Sequence, residues 1–90
     1  MTIEEIFLDI KAERVRQDHK WGPQDHNPAF WVAIFLEEFG EASKAYLDGS
    51  ALKYIEELIH ASAVLVAMLE TVMRNPGSFN FDGAKGGLKK

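Results

Sequence analysis

Residues 34–60 read IFLEEFGEASKAYLDGSALKYIEELIH, and this stretch decides the fold. On a helical wheel at about 100° per residue, Trp31, Ile34, Phe35, Ala42, Ala45 and Tyr46 form one apolar arc. Glu38 falls in the middle of that arc and Glu41 on its edge, about one turn further along; Glu37 lies round towards solvent. Asp48-Gly49 stops this helix, and Ser50 is placed to cap the next. From Leu58 to Val72 the following segment is apolar on nearly every side, the pattern of a helix buried all round. Glu57 and His60 stand three apart at its polar beginning, on one face. Two helices joined by so short a turn lie antiparallel as neighbours. Glu57 and His60 are then roughly level with the latter half of the preceding helix, where Glu38 and Glu41 lie.

Working outward, Asn27-Pro28 reads as an N-cap followed by Pro at the first helical position, so the second helix spans about 28–47 and the third about 51–74. Upstream, Thr2 with Glu5 makes a capping box for a first helix over about 2–20, with Ile3, Ile6, Phe7 and Ile10 at helical spacing. Trp21-Gly22-Pro23 ends it, and Asn75-Pro76-Gly77 ends the third helix. No alternating β-branched run reads as a strand. The expected fold is all-α, an antiparallel helical bundle over 1–77 with an irregular tail over 78–90, in which Phe79 and Phe81 are the residues able to dock on the bundle.

A carboxylate at the centre of a buried face must stay protonated or find a partner, and a second one at i+3 adds like-charge repulsion. A divalent cation between them is the simplest compensation, and hard oxygen ligands suit magnesium or manganese. Acidic pairs at (i, i+3) on facing helices are a recurrent way to build such a site in a bundle. Taken singly, each signal has a plainer reading. Glu37-Glu38 resembles many solvated pairs, Glu56-Glu57 suits the positive end of a helix dipole, and His60 alone would be a core histidine. Their convergence on adjoining helices favours a site.

The whole chain sets limits on this reading. Ninety residues make one domain. A chain this short buries only roughly 60–65% of its unfolded surface, and with no cysteine it has no disulfide or thiolate site to staple it. One neighbouring helix cannot cover an element apolar on every side, so part of Val64, Val66, Met68 or Val72 is expected at an interface, in a homodimer or dimer of dimers. The net charge of −4 argues against a duplex nucleic-acid binder but not against a nucleotide brought in with a metal ion. The start Met1-Thr2-Ile3-Glu4-Glu5 lacks a signal-peptide pattern, and Leu58–Leu69 is too short to span a bilayer, so a cytoplasmic location without membrane contact is expected.

Glu37-Glu38-Phe39-Gly40-Glu41, a gap of fifteen residues, then Glu57-Leu58-Ile59-His60 resembles the Glu-Glu-x-x-Glu, gap, Glu-x-x-Asp motif of the MazG-like all-α nucleotide pyrophosphohydrolases. Glu13-Arg14-Val15-Arg16-Gln17 with Lys20-Trp21-Gly22 resembles the lead-in of the short phage and bacterial members, and residues 56–64 are similar to their last core helix. The resemblance covers roughly Ala12 to Val72. It implies cleavage of a nucleoside triphosphate between the α and β phosphates, giving a monophosphate and pyrophosphate, in an obligate oligomer. It also implies Mg2+ held by Glu38, Glu41 and Glu57, with His60 where the family has Asp. Imidazole is a poorer magnesium ligand and suits manganese better.

On this basis Glu38, Glu41 and Glu57 are the expected metal ligands with His60, and Glu37 or Glu41 the base that orients a water. Arg14, Arg16, Lys20 and Lys53 are candidate phosphate clamps. Trp21 is the better candidate to stack on a base, since Trp31 sits on the apolar arc. The competing expectations are a helical protein-interaction module without a metal, and a nucleotide-binding protein whose His60 leaves the metal site degenerate.

Overall fold

The computed structural model describes residues 1–78; the tail expected from residue 78 onward lies, beyond Ser78, outside the described residues, as do Phe79 and Phe81. Three helices follow one another, α1 Ile3–Trp21, α2 Pro28–Leu47 and α3 Ala51–Arg74, and a 3-10 turn Pro76–Ser78 closes the described chain. Among the described residues there is no strand, and no helix is long and apolar enough to cross a membrane.

The helix ends form where the side chains dictate. Thr2 Oγ1 accepts from the Glu5 amide at 3.1 Å while Glu5 Oε1 accepts from the Thr2 amide at 2.8 Å, a reciprocal capping box. Asn27 Oδ1 accepts from the Phe30 amide at 2.9 Å, and Ser50 Oγ from the Lys53 amide at 3.3 Å. Gly49 takes φ +77° in the turn between α2 and α3, a conformation that costs a side chain but not glycine.

The most extensive packing is between α2 and α3; α1 packs on α3. Small residues bring the backbones together: Ala42 and Ala45 on α2, and Ala61, Ala63 and Ala67 on α3, are all buried. Trp31 and Val64 centre the core with Ala67, and Ile34, Phe35 and Met68 pack round them half-buried. The Trp31 indole N–H donates to Thr71 Oγ1 at 3.1 Å, and Thr71 donates in turn to the Ala67 carbonyl at 2.9 Å.

Apolar faces on all three helices are only partly covered among the described residues. Tyr46, at the end of the α2 arc, is exposed, as are Leu65, Val66 and Leu69 of α3, whereas Val64 is buried. On α1 the stripe of Ile3, Ile6 and Phe7 is open to solvent, Phe7 at 65% exposure, and Ile10 is half-buried. The single buried residue of α1 is Glu13. Periodicity marks which face of a helix is apolar; coverage depends on what that face meets, and among the described residues α1 packs on α3 and on no other helix.

Candidate metal centre

Glu38 lies nine residues before the last residue of α2, and His60 nine residues after the first residue of α3. At about 1.5 Å per residue the two therefore stand at the same height above the turn, with Glu57 about one helical turn below. The antiparallel packing turns all three inward. One ligand atom from each of Glu38, Glu57 and His60 lies within 4.8 Å of the other two. Glu57 is buried, at 5% exposure, while Glu38 and His60 are half-buried.

The electrostatics are strained in the direction a cation would relieve. Burial pushes the Glu38 carboxyl above the usual carboxylate range, the negative charge of Glu57 pushes it further, and His60 opposes both. Glu57 Oε1 lies 3.3 Å from Lys53 Nζ, and its Oε2 lies 3.6 Å from His60 Nδ1. Two carboxylates and an imidazole, part shielded from water, are a donor set that fits a divalent ion; three protein ligands leave coordination positions for solvent or phosphate oxygens.

A fourth polar residue reaches this cluster from α1. Glu13 Oε1 lies 3.8 Å from His60 Nε2. Its carboxylate is clasped by Arg16, whose Nε donates to Oε1 and Nη2 to Oε2, each at 2.7 Å, and by Gln17 Nε2 at 3.2 Å. The Arg16 hydrogen bonds hold the Glu13 carboxyl below the usual range despite its desolvation. Glu13 was not among the candidates from sequence. The signal for it was present: Ile3, Ile6, Ile10 and Glu13 run along one helical stripe, so Glu13 is a carboxylate on an apolar line, as Glu38 is.

Beside the cluster opens a cleft of about 490 Å3, with Glu37, Glu38, Arg14, Trp21 and Arg74 on its walls. Glu37 and Glu41 are both exposed; Glu37 faces the cleft, and Glu41 belongs neither to the three-residue cluster nor to the cleft lining. Arg14 donates from Nε to Glu70 at 2.9 Å and from Nη1 to Asp18 at 3.0 Å. Trp21 is 54% exposed, with Lys20 Nζ 4.7 Å from its ring centroid. Arg16 and Lys53 lie outside the cleft, paired with Glu13 and with Glu56 and Glu57. Trp31, placed in the core from its position on the arc, is buried there. No protein-family model matches the chain, and neither a curated protein nor a solved structure matches it.

Proposed function

We propose that this chain is a metal-dependent nucleoside triphosphate pyrophosphohydrolase of the MazG-like kind, acting in the cytoplasm as a homodimer or dimer of dimers. The observation that carries this reading is the convergence of Glu38, Glu57 and His60 beside a cleft that also holds an arginine and an exposed tryptophan. The half-covered apolar faces of α1 and α3 support the oligomer.

In this reading Glu38, Glu57 and His60 would hold Mg2+ or Mn2+, and Glu41, exposed about one turn along α2, stands outside the ligand set. A bound ion would supply positive charge to the phosphate oxygens and make an attached water more acidic. Glu37, exposed on the cleft wall next to Glu38, accepts the proton of the attacking water. Water oxygen bonds to one phosphorus as the bridging α–β oxygen leaves with the other phosphate, giving a monophosphate and pyrophosphate. Arg14 exchanges Asp18 or Glu70 for phosphate oxygens, using the same fork of donors. The exposed face of Trp21 offers a stacking surface to the base.

One observation favours a second reading, a nucleotide-binding protein without turnover. The third member of the cluster is His60, and an imidazole is a poor magnesium ligand. A panel of nucleoside triphosphates, assayed for pyrophosphate release with Mg2+ and with Mn2+, separates the two. Hydrolysis with at least one ion, reduced on the order of 100-fold or more by Glu38→Ala, supports the enzyme. No release, with thermal stabilisation by nucleotide retained, leaves the binding protein. An unfolding temperature that responds to neither ion nor nucleotide removes both.

A further inference from the structure

His60 lies between two carboxylates from different helices: Nδ1 is 3.6 Å from Glu57 of α3 and Nε2 3.8 Å from Glu13 of α1, each just beyond hydrogen-bond length. The two carboxylates are not equivalent. Glu57 belongs to the cluster with Glu38, whereas Glu13 is outside it. Both Glu13 oxygens are fixed by Arg16 and Gln17 of its own helix, and the residue is buried at 8% exposure. A neutral imidazole has one N–H and one lone pair, and an ionised carboxylate only accepts. If the cluster holds a cation, the lone pair belongs on the cluster side and the N–H on the Glu13 side. A carboxylate behind a ligating histidine fixes its tautomer and ring plane and raises its basicity.

Resting on the metal reading above, we infer that Glu13 is a positioning residue. It holds His60 with Nε2–H towards α1 and Nδ1 free for the ion, and so biases the site towards a transition ion that accepts imidazole over magnesium. Arg16 serves the same end one step back, by locking Glu13.

The test uses the full chain freed of metal with chelator. Affinities for Mn2+ and Mg2+ are measured by calorimetry in wild type, Glu13→Gln and Arg16→Met. Manganese affinity is expected to fall about 10-fold or more in Glu13→Gln, and less in Arg16→Met, with magnesium affinity changed far less. A general loosening of α1 would weaken both ions alike, and that outcome overturns the inference. The exposed Arg16 variant guards against a folding defect in the buried one. Independently, the 15N shifts of His60 with Zn2+ as a diamagnetic probe, assigned against His60→Asn, should show Nδ1 ligated and Nε2 protonated. The reverse pattern also overturns it. A wild-type chain that binds none of the three ions sinks the metal reading itself, and this inference with it. Equal responses of both ions in the variants sink only the role of Glu13.

Discussion

The Trp31 indole N–H meets the Thr71 hydroxyl across 3.1 Å, joining the first turn of α2 to the last turns of α3 inside the core. It is a buried polar contact at the end of the core, and the Thr71 hydroxyl also accepts from Arg74 Nη2 at 3.4 Å and donates to the Ala67 carbonyl. Thr71→Val keeps the shape and removes the acceptor. Leaving a buried N–H without a partner costs about 1–3 kcal/mol. The variant should show a denaturant midpoint lowered by a corresponding amount with an unchanged slope. An unchanged midpoint would mean that solvent reaches the indole.

On the metal proposal, Glu38 sets stability against binding. Its carboxyl is pushed up by burial and by Glu57. A folded-state value above the unfolded one means that its stabilising contribution is complete below the unfolded value and is lost as pH rises through the folded value. Without metal at neutral pH, Glu38→Gln should therefore melt higher than wild type, and the difference should shrink below about pH 4. With Mn2+ added the order should reverse, because wild type gains stability by mass action and the variant does not. Parallel melts at two pH values, with and without Mn2+, check both halves.

Glu13 works in the opposite sense. Its carboxyl is held down chiefly by the Arg16 hydrogen bonds. That contribution is present above the unfolded carboxylate value and is lost as pH falls through the folded one. In Glu13→Gln the acid limb of the stability profile should be shallower than in wild type, with the two curves converging at low pH. A profile parallel to wild type throughout would show that Glu13 gains nothing from Arg16.

The helix boundaries were legible in the sequence because they depend on local chemistry. Thr2, Asn27-Pro28 and Ser50 each satisfy amides within three residues, and Gly49 supplies the one turn conformation the α2–α3 link needs. Glu38 was legible as an anomaly on an apolar arc, and its neighbourhood with Glu57 and His60 followed from the shortness of that link. Glu13 was not picked out because the register of α1 against α3 is set by packing across a loop that carries no length constraint comparable to the hairpin's. The exposed Ile3, Ile6 and Phe7 had the spacing of a buried stripe, and spacing is silent about what lies opposite.

Lys53 sets a positive charge beside two carboxylates, with Nζ 3.3 Å from Glu57 and 3.6 Å from Glu56. An ammonium there competes with a metal for Glu57 and repels it once bound. Lys53→Met should bind Mn2+ several-fold more tightly than wild type by calorimetry, while melting lower without metal. Weaker Mn2+ binding in this variant would show that the lysine supports the site.

For the oligomer proposed above, the exposed apolar stripes of α1 and α3 are the candidate contact faces. Phe7→Glu, at a position 65% exposed in the single chain, should leave helicity unchanged. It should lower the mass found by sedimentation if that face is covered by a second copy. An unaltered oligomeric mass would place the contact on α3, where Leu69→Glu is the corresponding variant, and a wild-type chain that sediments as a monomer would remove the proposed oligomer.

The equal arms of the α2–α3 hairpin carry an evolutionary implication. Each residue added to a helix rotates everything beyond it by about 100° and lifts it about 1.5 Å. A lone insertion between Glu38 and Gly49 would thus swing that carboxylate out of reach of His60, and a matching insertion in α3 would restore the height but turn His60 to the opposite side. In descendants of this chain, gains and losses of residues should accumulate in the connection 22–27 and spare the hairpin. Where they do strike it, they should occur as nearly whole turns, about seven residues on each side of Asp48-Gly49-Ser50, which keeps both height and facing.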